Sequence, residues 1–210
     1  MTDKHINKPV GATSDPVAKQ KIVSAARRHF LANGFRGVTM DDLAVELGMS
    51  KKTFYAHFKS KVALVEAVMQ DKMTEVESDL ERLLGGEPAL FQDALHGLLA
   101  CLQKHTGEIQ PVFLRDIRRD APELFAVVES RRAVIIERCF MRLLTSGGKA
   151  GMIRADVSAK LVIELLLAAM HGIMNPKKLE ELKLTPKAGF SAILNVILGG
   201  VMTAKGRATL

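Results

Sequence analysis

Lysine and threonine side chains lie together at the start of one short helical segment. Ser50 stands where a helix cap is expected, and Lys51, Lys52 and Thr53 follow it directly. These side chains donate hydrogen bonds and carry positive charge. When a helix lies in the major groove of DNA, its first residues face the base edges. The pattern therefore predicts base contacts by Lys51, Lys52 and Thr53.

Other polar side chains nearby suit phosphate oxygens. Tyr55 and His57 lie further round the same segment, Lys61 is at the start of the next one, and Thr39 opens the segment before it. Hydroxyl, imidazole and ammonium groups, together with capped helix N termini, commonly bind DNA phosphates. The alternative interpretation is an ordinary helical hairpin with solvated lysines.

The spacing of caps and glycines predicts a helix-turn-helix around these residues. Thr39 can cap a short helix by accepting from the amide of residue 41 or 42, and Gly48 then stops it. Ala44 is small enough for a second helix to approach closely. Phe54 and Phe58 lie four residues apart on the inner face of that second helix.

One helix is expected before this pair and one after it. Asp15 and Pro16 are typical of a helix start, Asn33-Gly34 of its end, and Ser60 opens a longer helix that reaches Gly85-Gly86. We expect residues 1–14 to form a flexible tail, residues 15–59 a DNA-binding domain, and residues 60–210 an effector-binding and dimerisation domain.

Charge is concentrated in the first third of the chain. Residues 1–61 contain eleven Lys and Arg against five Asp and Glu, whereas the whole 210-residue chain has a net charge of +7. A basic N-terminal region on a nearly neutral remainder indicates a polyanion-binding part joined to a part with another task. The alternative interpretation is that the positive charge only keeps the protein soluble.

Composition excludes several protein classes. Hydrophobic residues make up 48% of the chain and charged residues 25%, which is typical of a globular protein. The only cysteines, Cys101 and Cys139, follow a start without signal-peptide character, so we expect free thiols and a cytoplasmic location. The longest apolar run, residues 165–170, is too short to span a membrane.

The remainder of the chain keeps a helical period without convincing strand alternation. With the four N-terminal helices, the predicted fold is all-α with about nine helices. Breaks are expected near 106–107, 111, 121–122, 146–148 and 175–176. The charged segment 115–122 is interpreted as a solvated helix end, with an interior or dimer-contact ion network as the alternative.

Residues 19–66 resemble the tetracycline-repressor (TetR) family of bacterial transcription regulators. The matching residues are Ile22-Val23, Ala25-Ala26, Phe30, Gly34-Phe35, Val38-Thr39-Met40, Leu43-Ala44, Leu47 to Tyr55, His57-Phe58, Lys59-Ser60-Lys61 and Leu64. Lys52 departs from the pattern, because members often carry a small residue there. The resemblance implies a three-helix head, a larger helical body, a homodimer formed by the last two long helices, and a pocket for a small effector.

Two sets of residues are candidates for the roles that the resemblance implies. Apolar helices 157–174 and 186–202 supply the expected dimer contacts Leu161, Leu165, Ala169, Phe190, Ile193, Leu194 and Ile197. A hydrophobic or aromatic effector is expected to contact His96, Leu102, Phe113, Ile117, Phe140, Met141, Met170 and His171. The alternative interpretation is that each of these residues is an ordinary core or surface residue without a ligand contact. His105, Arg115 and Asp116 are further polar residues on apolar helices.

The sequence contains no pattern typical of catalysis or of metal binding. Its histidines and cysteines form no CxxC, HxxxH or HExxH arrangement, and it lacks a nucleophile elbow or a phosphate-binding glycine loop. We therefore expect no metal, no cofactor and no enzymatic activity. The expected function is therefore a repressor that a small hydrophobic effector releases from a near-palindromic operator. Two alternatives are a DNA-binding dimer whose body docks a protein partner, and a small helical enzyme or carrier.

Overall fold

The computed structural model describes residues 15–84 and 91–208. The predicted tail at 1–14 and the predicted helix end at Gly85-Gly86 lie outside the described residues. Within them lie eleven helices: α1 (Pro16–Asn33), α2 (Met40–Glu46), α3 (Lys51–His57), α4 (Lys61–Leu84), α5 (Phe91–Gly107), α6 (Pro111–Asp120), α7 (Pro122–Lys149), α8 (Ala159–Ile173), α9 (Pro176–Glu181), α10 (Pro186–Val201) and α11 (Ala204–Arg207).

Side-chain caps begin the N-terminal helices as predicted. Asp15 accepts from Val17 N at 2.9 Å, Thr39 from Asp42 N at 3.0 Å, Ser50 from Thr53 N at 3.1 Å and Ser60 from Ala63 N at 3.1 Å. Each bond satisfies an amide that has no partner within its helix. The all-α prediction is confirmed for the described residues, where the only β pairing is an isolated bridge between Ile153 and Met202.

The structure contradicts one predicted helix break and confirms another. The break expected at 146–148 does not occur, because α7 continues to Lys149 and a Cβ on Gly147 would lie 2.4 Å from the Phe91 ring. This glycine permits a close helix contact. The break expected at Asn175-Pro176 is confirmed, because α8 ends at Ile173 and Asn175 then caps the short helix α9, with Pro176 at its first position. Helices α9 and α11 are the two beyond the nine expected.

Helix α4 connects the N-terminal helices to the rest of the chain. It packs against α1 on one side and against α5 and α7 on the other. Helices α8 and α10 pack against each other, α8 also contacts α7, and α10 also contacts α5. One continuous apolar core extends from Ile22 in α1 to Met202 after α10. A change around α5 or α7 can therefore reach α1 through α4.

Candidate DNA-binding surface and effector cavity

Helices α2 and α3 form a compact pair joined by a short turn. Gly48 adopts a φ of +63° in this turn, a conformation that glycine reaches without a Cβ penalty. Phe54 is fully buried between the helices. The Lys51 ammonium donates to Asp41 Oδ2 at 2.6 Å, which links the start of α3 to the start of α2. The hydrogen bond to Asp41 raises the pKa of Lys51, so the lysine stays charged.

Most of the predicted DNA-contacting side chains are exposed on one region of this pair. Thr39, Lys51, Lys52 and Thr53 are exposed, and Tyr55 keeps 39% of its surface accessible. The Thr53 hydroxyl lies 2.9 Å from Ser50 Oγ, within hydrogen-bonding distance. A DNA contact by Thr53 therefore competes with this local bond.

His57 and Lys61 are less accessible than predicted. His57 is half-buried, and its Nδ1 is buried without a hydrogen-bond partner in the described residues. The Lys61 ammonium lies 4.6 Å from the centre of the Phe35 ring and 5.9 Å from that of Phe30. Burial lowers the pKa of Lys61, although the nearby carboxylates of α6 oppose this shift. Contact with a phosphate requires Lys61 to leave the aromatic rings.

The loop after α1 is fixed to α6 by charge and by a glycine. Arg36 donates to Asp120 through Nε at 2.7 Å and Nη2 at 2.9 Å, and its backbone amide donates to Asp116 Oδ2 at 3.1 Å. Gly34, with a φ of +81°, passes so close that a Cβ would lie 2.7 Å from Asp116 Oδ2. Asp116 is buried. The alternative interpretation of segment 115–122 as an ion network therefore holds for Asp116 and Asp120.

A cavity of about 100 Å³ lies among α4, α5, α6, α7, α8 and α10. Its lining residues are mostly apolar, with four polar side chains from α4, α5 and α7. The lining consists of Lys72, Met73, Val76, Leu102, His105, Thr106, Ile109, Leu114, Arg132, Ile135, Ile136, Met170, Met174, Pro186 and Phe190. An apolar wall with few polar groups is typical of small-molecule sites, although such sites usually measure about 300–1,000 Å³.

A buried ion network extends from this cavity to α1. Lys72, with 0% of its surface exposed, donates to Glu108 and to His105 Nδ1, the latter at 2.8 Å. Glu108 also accepts from Arg27 Nη2 at 3.0 Å, and Arg27 contacts Asp71 and Glu75 on α4. Lys72 lines the cavity, while Arg27 and Glu108 border an open groove of about 1080 Å³ along α1.

Burial and neighbouring charges set the protonation of this network. Burial lowers the pKa of His105 and the Lys72 ammonium lowers it further, so the imidazole is neutral at pH 7. Its two contacts require the proton on Nε2, which donates to Asp79 Oδ2 at 3.0 Å. Burial acts to raise the pKa of Glu108, but the hydrogen bonds from Lys72 and Arg27 outweigh it, and that pKa is lowered.

Comparison with known proteins identifies the N-terminal helices. Residues 22–68 match the family model of bacterial regulatory proteins of the tetR family. The chain is 26% identical over 197 residues to the HTH-type transcriptional regulator UidR of Escherichia coli K12, covering 89% of this chain and 93% of that protein. It is also 26% identical over 171 residues to the HTH-type transcriptional repressor DhaR of a Mycobacterium species, covering 77% and 83%.

A solved structure agrees over nearly the whole chain. The TetR-family transcriptional regulator from Agrobacterium tumefaciens superposes with a TM-score of 0.66 at 17% identity, covering 90% of this chain and 100% of that one. Residues 22–68 belong to the tetR family of bacterial regulatory proteins. The chain is a DNA-binding transcriptional regulator, as the resemblance of residues 19–66 implied. No helix in the described residues is both long enough and apolar enough to cross a membrane.

Only part of the predicted effector set lines the cavity. Leu102 and Met170 line it. Phe113, Ile117 and Phe140 are buried in the core away from its wall, and Met141 is half-buried elsewhere on α7. His96 and His171 are exposed, which corrects their assignment to an internal site. His171 instead borders a surface recess of about 280 Å³ between α7 and α8.

Lys72, Arg132 and Phe190 line the cavity but were not predicted to do so. Lys72 interrupts the apolar stripe of α4, between Met69 and Val76, and this interruption was the available signal. His105 was noted only as a polar residue on an apolar helix. Arg132 offered no signal, because α7 carries charged residues along much of its length.

The predicted dimer residues divide into two groups. Leu161 and Leu165 each keep 53% of their surface exposed on α8, while Ala169 and Ile197 are half-buried. Phe190, Ile193 and Leu194 are buried inside the chain, which corrects their assignment to a surface contact. The reason is that α10 packs against both α5 and α8. Val196 on α10 is 76% exposed and was not among the predicted residues.

The described residues contain two groups with possible metal-ligand geometry. Asp79, Cys101 and His105 form one group, and Glu75, His105 and Glu108 form the other, with ligand atoms within 4.8 Å of one another. Both need His105, whose Nδ1 already accepts from Lys72 and whose Nε2 donates to Asp79. A metal-bound imidazole normally donates its second nitrogen to an acceptor. Because Nδ1 of His105 accepts from the Lys72 ammonium, the arrangement fits a neutral, hydrogen-bonded histidine better than a metal-bound one.

Proposed function

We propose that this TetR-family chain is a homodimeric repressor that leaves a near-palindromic operator when a small hydrophobic effector enters the cavity. The observation that carries this proposal is the continuous path from the cavity wall to the first helix. Lys72 on the wall shares Glu108 with Arg27 on α1. A ligand that moves Lys72 therefore acts on a direct contact of the DNA-binding region.

On the DNA side, α3 enters the major groove in this proposal. Lys51, Lys52 and Thr53 then face base edges, while Thr39 and Tyr55 contact phosphates. Two further phosphate contacts come from His57, through Nε2, and from Lys61, after release from Phe35. Their burial in the free protein supports a supplementary role for both.

The proposed dimer uses the outer faces of α8 and α10. Leu161, Leu165, Ala169 and Ile197 form an apolar surface with Val196. A twofold axis between two copies presents two α3 helices about one turn of DNA apart, about 34–36 Å, which requires a near-palindromic site. Residues 15–59 are then the DNA-binding domain, and residues 60–210 the effector and dimerisation domain.

Effector release requires only a modest coupling between the two sites. A ligand that binds the DNA-free state better shifts the equilibrium by its differential affinity, and about 1–3 kcal/mol is typical. The soft side chains of Met73, Met170 and Met174 line the cavity and can move to enlarge it. Met73 also borders a surface cleft of about 540 Å³ between α4 and α7, which provides a route inward.

Selection of bound fragments from genomic DNA by the purified protein tests the operator. We expect the selected fragments to share a near-palindromic sequence that the protein binds at least about a thousandfold more tightly than random DNA. Binding that is equal for all fragments and steeply dependent on salt would contradict a sequence-specific repressor. Analytical ultracentrifugation of the same protein, with Leu165→Lys as the interface variant, tests the dimer.

Single substitutions separate the proposed base and phosphate contacts. Lys61→Ala should weaken binding to all DNA and flatten the salt dependence, whereas Lys51→Ala and Thr53→Ala should also change base preference. Lys149→Ala is the matched control, because Lys149 is exposed at the far end of α7. An equal loss on operator and random DNA for Lys51, Thr53 and Lys61 would contradict these roles.

The size of the cavity favours a second candidate function. At about 100 Å³ it is smaller than most small-molecule sites, which fits a body that docks a protein partner without a ligand. Calorimetric titration with small hydrophobic compounds separates the two candidates. Binding that Ile136→Trp abolishes by filling the cavity supports the effector; absence of any binding supports the docking body.

A further inference from the structure

We propose that the effector is an apolar molecule with one carboxylate group, and that Lys72 and Arg132 hold this carboxylate inside the cavity. This proposal rests on the effector cavity of the proposed function and names the chemical class of its ligand. It follows from the charges on the cavity wall, from the free hydrogen-bond donors there, and from the apolar nature of the remaining wall.

The ionisable groups on the cavity wall are basic. Lys72, Arg132 and the neutral His105 line it, and its lining within the described residues includes neither Asp nor Glu. The carboxylates that pair with the two cations, Glu108 and Glu129, lie outside the lining. A ligand in the cavity therefore meets positive groups first, with their counter-charges behind them.

Lys72 has one donor left for a ligand. An ammonium group has three N–H donors. Within the described residues, Lys72 uses one toward His105 Nδ1 and one toward Glu108. Since the side chain is fully buried, water cannot readily satisfy the third, and a buried donor without a partner is costly. A ligand oxygen supplies the missing acceptor.

Arg132 presents a second set of donors from α7. Its Nη2 donates to Glu129 Oε2 at 2.6 Å, which leaves further N–H groups of the guanidinium available. Its side chain is 30% exposed and lies between the cavity and the surface recess of α7 and α8. Planar guanidinium groups match carboxylates particularly well.

The remaining wall determines the rest of the ligand. Leu102, Ile135, Ile136 and Phe190 offer no hydrogen bonds, so the body of the ligand must be apolar. Thr106 and His105 can supply only neutral contacts. Hydrogen bonds from charged donors to a carboxylate exceed those to a neutral amide, because charge assists them. An acid should therefore bind more tightly than its amide, and an amine of the same body least well.

Isothermal titration calorimetry with matched probes tests this order. The probes are 4-phenylbutanoate, 4-phenylbutanamide and 4-phenylbutylamine, with octanoate, octanamide and octylamine as an aliphatic set. With the intact protein at pH 7 we expect each acid to bind about tenfold more tightly than its amide, which corresponds to about 1.4 kcal/mol. The amines should bind more weakly than the amides.

Variants test whether Lys72 and Arg132 cause the preference for the acid over the amide. Lys72→Met and Arg132→Met should each reduce the acid-to-amide ratio toward one while amide binding persists. Lys104→Met is the matched control, because Lys104 belongs to the same ion network through Asp79 but does not line the cavity. Thermal unfolding checks that each variant is folded. Arg132→Gln serves as a second variant should Lys72→Met unfold.

The outcomes separate this proposal from the proposed function. Equal binding of acid and amide, tighter binding of the amine, or an unchanged ratio in both folded variants would overturn the carboxylate assignment. No binding by any probe would also overturn it. A neutral probe that binds and releases operator DNA would leave the effector-released repressor intact. An acid that binds with the expected preference but leaves DNA affinity unchanged would refute effector release alone.

Discussion

The surface of α2 and α3 differs from the proposed effector cavity in how the chain assembles it. The proposed DNA contacts from Thr39 to His57 are close in sequence, and local caps and one glycine turn fix their positions. The cavity combines single side chains from six helices, from Lys72 on α4 to Phe190 on α10. Local interactions determine the first region, whereas the packing of the whole body determines the second.

The ion pairs of the two regions differ in the same way. Lys51 and Asp41 keep 69% and 44% of their side chains exposed, whereas Lys72 and Glu108 keep 1% and 35%. Water and salt screen the exposed pair, and the buried lysine depends on its protein partners. The exposed lysine is therefore free to exchange its partner for DNA, while the buried one contributes to stability.

The largest expected effect concerns two adjacent residues of α3. Phe54→Ala should lower the free energy of unfolding by about 3–5 kcal/mol, because the ring is fully buried in the apolar core. Tyr55→Ala should leave stability within about 0.5 kcal/mol and weaken DNA binding instead. Urea unfolding and operator titration measure the two quantities. Equal stability of the two variants would contradict the division of α3 into a packing face and a recognition face.

The next effect compares the buried ion pair with the exposed one. Lys72→Ala should lower the free energy of unfolding by about 1–3 kcal/mol, because it leaves Glu108 and His105 without their shared donor. Lys51→Ala should leave thermal stability unchanged within error, since both members of its pair are solvated. A loss for Lys51→Ala as large as that for Lys72→Ala would remove the distinction between the two regions.

The helix-turn-helix was predictable because each of its signals is local. Thr39, Ser50 and Gly48 act within four residues of their own positions, and the structure shows the caps and the turn that they predict. The ends of α1 and α10 were predictable for the same reason. The glycine pair at 147–148 led to a wrong prediction of a helix end. Gly147 lies within α7, where it allows close contact with Phe91.

The cavity was largely unpredictable because its membership depends on how helices pack. Phe190 lies in an apolar helix whose sequence suits a dimer contact and a core contact equally well. Only its packing position, on the wall of the cavity, separates the two. Leu102 and Met170 lie on the wall, whereas Phe140 is buried in the core and does not line the cavity. Lys72 was detectable in principle, since a lysine within an apolar stripe needs a buried partner.

A smaller effect concerns the connection between the two regions. Gly34 has φ +81° and ψ 169°, a backbone region almost restricted to glycine, and a Cβ there would contact Asp116 and Val112. Gly34→Ala should therefore lower the free energy of unfolding by about 1–3 kcal/mol. Gly148→Ala, at an exposed helical position with open space around the Cβ, should raise it by about 0.4–1 kcal/mol. Shifts of the same sign in thermal unfolding would contradict this assignment.

The smallest effect is a pH dependence that only the buried network should show. The pKa of His105 lies below its ordinary value of 6.5 because of burial and of the Lys72 ammonium, with Asp79, Glu75 and Glu108 opposing that shift. Just below pH 6.5 the unfolded chain therefore binds more protons than the folded chain, and stability falls as the pH falls. The slope from this one group cannot exceed about 1.4 kcal/mol per pH unit.

His105→Gln isolates this contribution, because the amide does not titrate. Urea unfolding of both proteins between neutral pH and pH 5 should show a shallower dependence in the variant, whatever its absolute stability. The carboxylates of Asp79 and Glu108 have lowered pKa values, so their stabilisation is lost only at more acidic pH and leaves this window unaffected. His29→Gln, which removes an exposed histidine near Glu46, is the matched control. Parallel curves of stability against pH for His105→Gln and the original chain would contradict this prediction. They would show that the buried imidazole gains a proton as easily as a solvated one, so that burial on the cavity wall would not change its protonation.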